Sequence, residues 1–177
     1  MATGTILLWP GAITLPDGTS GNAFCRAQVA KSTGTAPTNG PSLFFTELLF
    51  DPSTDQHCFF TFTLPSDYSS GGIINIDWKR ASGTTAQNCI FKAAVAAVTP
   101  GATEVPNTKA LNTVATTTTA AGTTSQALVT TAITLTMDSA AAGDMVTVML
   151  GRDADNASDT LTVDAQVTDV NFTYTTT

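Results

Sequence analysis

The sequence predicts an all-β protein: an antiparallel jelly-roll sandwich with an extended N-terminal arm. Apolar and polar residues alternate in several short runs, turn-forming residues separate those runs, and threonine is abundant. A period of two is the pattern of strands that bury one face, and threonine favours the pleated conformation. The only alanine-rich stretch that could be helical, residues 138–143, is about one helical turn long. No helix of ordinary length is therefore expected.

Proline and glycine recur every few residues in the first 42 residues, which are predicted to form the extended arm. Disordered segments are poor in aliphatic and aromatic side chains, whereas this segment contains many. We therefore expect the arm to dock, either on its own domain or on a neighbouring subunit or another protein. The candidate contact residues of the arm are Leu7, Leu8, Trp9, Ile13, Leu15 and Phe24.

Residues 43–177 are predicted to form the jelly-roll domain, with seven or eight strands. The run 88–98 is apolar on both faces, which predicts a central position in a sheet. The last run shifts phase near Thr168 and Asp169, which predicts a bulge or a change of sheet. Residues 99–124 are predicted to be a long irregular connection. The predicted strands lie within residues 43–50, 57–64, 73–79, 88–98, 125–137, 144–151 and 161–174.

The charge of the chain argues against nucleic acid as a partner. Only 12% of the residues are charged, and 14 acidic residues against 7 basic ones leave a net charge of −7. A phosphate backbone would be repelled unless the basic residues were clustered, and here they are scattered. No run approaches the roughly 20 apolar residues that span a bilayer, and no signal peptide is recognised. We expect neither a nucleic-acid nor a membrane partner.

Residues suited to catalysis are few, and we expect no enzyme, no cofactor and no metal site. The single histidine, His57, begins a predicted strand, and no nucleophile elbow or polar cysteine loop accompanies it. Cys25, Cys58 and Cys89 are widely spaced, which suits neither a disulfide framework nor a zinc site. We expect reduced, packed thiols, with a Cys58–Cys89 bridge as the alternative.

The densest polar cluster, residues 152–160, lies between two predicted strands. Its acidic residues offer oxygen ligands for calcium, but the glycine and glutamate of an EF-hand loop are missing. We therefore expect a hairpin loop in which Asp and Asn side chains bond their own backbone and Arg152 pairs with a nearby Asp.

Residues suited to sugar chemistry are also scarce. Glu47 and Glu104 are the only glutamates, and most aspartates lie in turns, so a carboxylate pair for glycoside hydrolysis is not supported. Sugar binding would need exposed aromatic side chains. Tyr68 and Trp78 flank predicted turns, but Trp78 is in phase with apolar neighbours, which favours a core position.

Several motifs in fixed order resemble a family of tailed-bacteriophage structural proteins. The similarity covers about residues 43–174 and does not reach the arm. Its motifs are Phe62-Thr63-Leu64-Pro65-Ser66-Asp67-Tyr68, Trp78-Lys79, Ala142-Gly143-Asp144, Gly151-Arg152-Asp153-Ala154-Asp155, Ala157-Ser158-Asp159-Thr160-Leu161 and Phe172-Thr173-Tyr174.

This resemblance implies a small jelly roll, usually a homotrimer, that decorates the capsid or forms part of a head or tail fibre. We expect a capsid decoration (cement) protein, made in the host cytoplasm and located on the capsid surface of the virion. Its trimers would bind the major capsid protein through the arm and stabilise the head. Deleting residues 1–41 is then expected to leave a folded trimer that no longer binds capsids.

Two alternatives to the cement role stay open. The first is a receptor-binding domain of a head or tail fibre that recognises host surface glycan through residues 67–72, 99–124 and 153–160. The second is a depolymerising enzyme on the same fold, against which the missing carboxylate pair counts.

Overall fold

Two antiparallel β-sheets pack face to face in the computed structural model, which describes residues 2–177. The predicted all-β jelly-roll sandwich is confirmed. A single turn of 3₁₀-helix spans Pro106–Thr108, and no helix within residues 2–177 is long and apolar enough to cross a membrane. The strands are β1 Thr3–Leu7, β2 Arg26–Lys31, β3 Phe44–Phe50, β4 Gln56–Thr63, β5 Tyr68–Arg80, β6 Asn88–Val98, β7 Ala115–Ala120, β8 Val129–Thr134, β9 Met145–Arg152 and β10 Ala165–Thr176.

The larger sheet has six strands in the order β2-β3-β10-β5-β8, and β1 also pairs with β10. β3 pairs with the beginning of β10, at Ala165 to Val167, and β1 pairs with its end. The register of β10 against β5 shifts between Val167 and Asp169, so the predicted bulge near Thr168 is confirmed. The smaller sheet has the order β4-β9-β6-β7, which places β6 inside the sheet as predicted.

The core lies between the two sheets and is filled by alternate residues of each strand. On β5, Ile74, Ile76 and Trp78 are fully buried, as their shared phase predicts. The indole of Trp78 donates a hydrogen bond to Thr131 Oγ1 at 2.9 Å, and that hydroxyl donates to Thr119 Oγ1 at 2.8 Å. The polar atom of the largest core side chain is therefore satisfied inside the sandwich.

Residues 2–42 contact the sandwich at several places. β1 and β2 extend the six-stranded sheet, and the backbone of Thr14 exchanges hydrogen bonds with Phe59 of β4. Leu8 and Cys25 are buried in the core. The sequence left open whether the arm docks on its own domain or on a neighbouring subunit or another protein. The described residues of the arm make contacts with their own domain. The division of the chain at residue 42 into an arm and a domain stays a prediction.

β5 and β7 differ most from the sequence prediction. β5 begins at Tyr68, inside the predicted turn region, and β7 lies within residues 99–124, which were predicted to be irregular. β7 has four threonines among its six residues, lies at the edge of its sheet and alternates between exposed and half-buried positions. An edge strand of this kind buries little surface, so it shows no apolar alternation, while threonine still favours the extended backbone.

Candidate functional site

A groove of about 700 Å³ crosses the outer face of the six-stranded sheet. Side chains alternate between the two faces of a strand. Leu48 and Trp78 point into the core, so their neighbours Glu47 of β3 and Lys79 of β5 point to the outer face. The groove is lined by Gln28, Ala30, Lys31, Ser32, Thr33, Leu43, Phe45, Glu47, Lys79, Gln126, Leu128, Gln166 and Thr168.

Strand register places a row of polar side chains across the floor of the groove. Gln28 of β2 lies opposite Glu47 of β3, and Gln166 of β10 lies opposite Lys79 of β5. Gln28 Nε2 donates to Glu47 Oε2 at 3.0 Å, and Lys79 Nζ donates to Gln166 Oε1 at 2.6 Å. Four side chains from four neighbouring strands thus form one connected polar row.

The centre of this row is a buried ion pair. Glu47 is 1% exposed and Lys79 is 7% exposed, and Lys79 Nζ lies 2.6 Å from Glu47 Oε1. The ammonium also lies over the ring of Phe45, 5.7 Å from its centre. Burying two charges costs more than their attraction returns in many proteins, so such a pair is weak evidence of a stabilising role.

Both oxygens of the Glu47 carboxylate have partners within the chain. Glu47 Oε2 accepts from Gln28 at 3.0 Å, and Glu47 Oε1 lies 2.6 Å from the Lys79 ammonium, which also donates to Gln166. Glu47 Oε1 has almost no exposed surface, so the carboxylate is enclosed beneath the groove.

Apolar side chains form the walls of the groove. Leu43 is 66% exposed and Leu128 is 61% exposed, and the half-buried Phe45 also lines the groove. Binding sites for small molecules commonly combine apolar walls with a few fixed polar groups. The arrangement can therefore hold a polar ligand that also has apolar faces.

The arm residues predicted to contact a partner lie outside the groove. Leu8 is buried and Ile13 packs against the core, so both serve their own domain. The other four keep exposed side chains, and a role in binding the capsid stays a prediction for them. They are Leu7 at 56%, Trp9 at 61%, Leu15 at 41% and Phe24 at 42% exposure.

The loops that the sequence offered for glycan binding contribute no lining residue to the groove, which is formed by the sheet face and the segments beside it. Trp78 and Tyr68 are buried, so neither aromatic side chain is available to a ligand, as expected for Trp78. The groove residues that the sequence did not single out are Gln28, Lys79 and Gln166, together with Glu47. The available signal was a charged residue within a largely apolar strand, as at Glu47 of β3.

Arg152 holds the polar loop that follows β9. Its guanidinium is fully buried and makes two hydrogen bonds to Asp159, at 3.0 Å and 2.8 Å. It also donates to the carbonyl oxygens of Phe50, Leu161 and Val163. The predicted pairing of Arg152 with a nearby aspartate is confirmed, and this part of the motif is structural.

Three carboxylates, Asp55, Asp153 and Asp155, each offer an oxygen within 4.8 Å of the others. The Lys92 ammonium bonds to Asp55 and lies 3.1 Å from Asp153. Burial opposes the charge of Lys92, but the two carboxylates outweigh burial and raise its pKa. The Lys92 ammonium therefore offsets the repulsion between the neighbouring carboxylates of Asp55 and Asp153.

The side chains that could act as base or nucleophile are His57, which is half-buried, and three buried cysteines. Burial lowers the pKa of His57, and the Lys92 charge lowers it further. Cys25, Cys58 and Cys89 are free and buried. The thiol that contacts Cys58 is that of Cys25, and this contact together with burial raises the pKa of Cys58. Burial likewise raises the pKa of Cys89, so the thiols of Cys58 and Cys89 stay protonated at neutral pH.

No family model matches the chain, and no curated protein matches it. Among solved structures it is similar to the CBM22-2 xylan-binding domain of Paenibacillus barcinonensis Xyn10C, with 14% identity and a TM-score of 0.49. That match covers 93% of this chain and 92% of the other.

Two further solved structures are similar over nearly their whole length. The family 11 carbohydrate-binding module of Clostridium thermocellum, solved with a β-1,3-1,4-mixed-linked tetrasaccharide, has 12% identity and a TM-score of 0.44, with coverage of 97% and 96%. The K1 cleaved adhesin domain of Lys-gingipain from Porphyromonas gingivalis W83 has 12% identity and a TM-score of 0.42, with coverage of 97% and 98%. Similarity at this level concerns the β-sandwich fold alone.

Proposed function

We propose that this protein is a non-catalytic glycan-binding domain whose ligand lies in the groove on the outer face of the six-stranded sheet. This corresponds to the glycan-recognising alternative implied by the resemblance to phage structural proteins. The observation that carries the proposal is the groove itself, which combines a preformed row of polar side chains with the exposed side chains of Leu43 and Leu128.

The size and lining of the groove support a ligand of a few sugar rings. Its volume of about 700 Å³ is within the range of small-molecule sites. A sugar ring has hydroxyl groups at its edge and C–H groups on its faces. The hydroxyls would meet the polar row, and the C–H faces would lie against Leu43, Phe45 and Leu128.

The polar row supports binding with little loss of conformational freedom. Gln28 fixes one oxygen of Glu47, while Gln166 and the ring of Phe45 fix the Lys79 ammonium. Side chains that are already fixed lose little rotamer entropy when a ligand arrives, and this preorganisation increases affinity.

Affinity electrophoresis in gels that contain dextran, mannan, galactan or xylan tests the proposal. The wild-type protein is expected to be retarded by at least one of these polysaccharides, and Lys79→Met is expected to abolish that retardation. Lys109→Met is the matched control, because Lys109 lies outside the groove and its partners Glu104 and Asp138 are elsewhere. Unretarded migration of the folded wild type in every gel would contradict the proposal.

A second role, attachment to a virion, is favoured by the exposed apolar side chains near the N-terminus, Leu7 and Trp9 above all. We propose that this surface binds the major capsid protein and that the domain acts there as a homotrimer. Co-sedimentation with empty capsids tests the attachment, with Trp9→Ser expected to weaken it. Light scattering tests the trimer, for which the expected mass is about three times 18.2 kDa.

A further inference from the structure

We propose that Cys25 and Cys58 form a disulfide bond under oxidising conditions and that this bond fastens the N-terminal arm to the sandwich. The inference goes beyond the proposed function, because it concerns how the arm is held and does not depend on glycan binding. It assigns a modification site to two of the free cysteines.

Backbone pairing places the two cysteines side by side. Phe24 and His57 form a parallel bridge. In this bridge the His57 amide donates to the Ala23 carbonyl oxygen at 2.9 Å, and the Cys25 amide donates to the His57 carbonyl oxygen at 3.2 Å. Cys25 and Cys58 are the next residues of the two parallel segments, so they are neighbours across them. Neighbouring segments lie about 4.8 Å apart, which is within the Cα separation of about 4.4–6.8 Å that disulfides require.

The side chains of the two cysteines point the same way. Cys25 and Cys58 are both 0% exposed and belong to the core between the sheets, so both thiols lie on the inner side of their segments. The two thiols contact each other, as the raised pKa of Cys58 also reflects. Thiols that already touch in the folded chain need little movement to become a disulfide.

The third cysteine is placed differently. Cys89 lies in β6, and β9 separates β6 from β4, which carries Cys58. Two strand spacings amount to roughly 10 Å, whereas cysteines more than about 7 Å apart cannot be bridged without backbone movement. The Cys58–Cys89 bridge that the sequence left as an alternative is therefore not the pairing we expect.

Thiol–disulfide exchange supplies the oxidation, with oxidised glutathione as the oxidant. The thiolate of one cysteine attacks the glutathione disulfide, which forms a mixed disulfide and releases one glutathione. The thiolate of the other cysteine then attacks the protein sulfur of the mixed disulfide, so the Cys25–Cys58 bond forms and the second glutathione leaves. The two protein thiols are oxidised, and their protons pass to the two glutathione molecules, which are reduced.

Both thiols are fully buried, so exchange in the folded protein requires the arm to open first. The arm contacts β4 through two isolated bridges, Thr14 with Phe59 and Phe24 with His57, and not through a continuous ladder. Segments held by few contacts open locally without global unfolding. Opening would expose the thiols to the oxidant, and closing would bring them together for the second step.

Refolding of the full chain from urea in an oxidising glutathione buffer tests the pairing, because every thiol is accessible at the start. After alkylation of the remaining thiols, peptide mass spectrometry should find Cys25 linked to Cys58 and Cys89 alkylated. The oxidised protein should unfold at a urea concentration about 1 M or more above that of the reduced protein, because the bond closes a long loop of the unfolded chain.

Cys89→Ala is the matched control and should keep both the linked peptide and the shift of the urea midpoint, whereas Cys25→Ala should lose both. Mapping of the wild type tests the pairing even if Cys25→Ala fails to fold. Alkylation of both Cys25 and Cys58 in the refolded wild type, or a predominant link that includes Cys89, would overturn the inference. A Cys25–Cys58 link with an unchanged urea midpoint would overturn the fastening role.

Discussion

Two buried ion pairs of the described residues differ in what surrounds them. Arg152 bonds to both oxygens of Asp159 and to three backbone carbonyls, and this pair lies beside a loop. Glu47 and Lys79 are also buried, with Gln28 and Gln166 as further partners, but this pair lies along a groove on the sheet face. The first pair holds a loop, and the second belongs to the surface for which we propose a binding role.

The largest expected effect comes from deleting residues 1–41, which breaks the groove but leaves the Arg152 pair in place. The deletion removes β1, β2 and the buried residues Leu8 and Cys25, and it removes Gln28, which supports Glu47. We expect a loss of about 5 kcal/mol or more in the free energy of unfolding, measured by urea denaturation. This differs from the expectation based on sequence alone, in which the truncated protein stays folded. An unchanged unfolding midpoint would show that the arm is separable.

Breaking the Arg152–Asp159 ion pair is expected to cause the next largest loss in the free energy of unfolding. Arg152→Met leaves Asp159 as an unpaired buried charge, and three carbonyl oxygens lose their donor. Removing one partner of a buried pair typically costs about 3–5 kcal/mol. Chemical denaturation should show a loss of this size. A loss below about 1 kcal/mol would mean that the pair does not hold the loop.

Replacing both Glu47 and Lys79 should change glycan binding without a large change in the free energy of unfolding. The double variant Glu47→Leu/Lys79→Met removes both charges and keeps an apolar volume on the groove floor. Replacing a buried ion pair by apolar residues of similar volume often leaves stability unchanged or increases it. We therefore expect the free energy of unfolding to change by no more than about 2 kcal/mol. Glycan retardation in affinity gels should nevertheless be lost. A severe loss of stability would assign this pair the same structural role as Arg152.

Lys92 provides a third, intermediate case that pH can test. Burial raises the pKa of Asp55, but the Lys92 ammonium outweighs it and holds that pKa below its usual value of 3.8. In the wild type this contribution to stability is present above pH 3.8 and is lost as the pH falls through the lower folded-state pKa.

Lys92→Met leaves Asp55 and Asp153 facing each other without the ammonium. Their repulsion should raise the pKa of one carboxyl, so the stability lost at neutral pH should be partly recovered on acidification toward pH 4. Thermal unfolding between pH 4 and 8 measures this difference. Parallel pH profiles for the variant and the wild type would contradict the assignment.

Local sequence predicted the features that depend on neighbouring residues. The phase of Trp78, the bulge near Thr168 and the pairing of Arg152 within its own loop all follow from residues close in sequence. The groove depends instead on strand order. β10 lies between the strands that carry Glu47 and Lys79, so their contact requires a topology and register that one sequence does not reveal.

Glycan binding by the groove is tested most directly by affinity electrophoresis of the wild type, Glu47→Gln and Glu104→Gln in gels with and without neutral polysaccharide. We expect the wild type and Glu104→Gln to be retarded equally, while Glu47→Gln, which breaks the ion pair with Lys79, migrates nearly as it does in the gel without polysaccharide. Equal retardation of all three proteins, or retardation of none of them, would contradict the assignment of the groove as a glycan site.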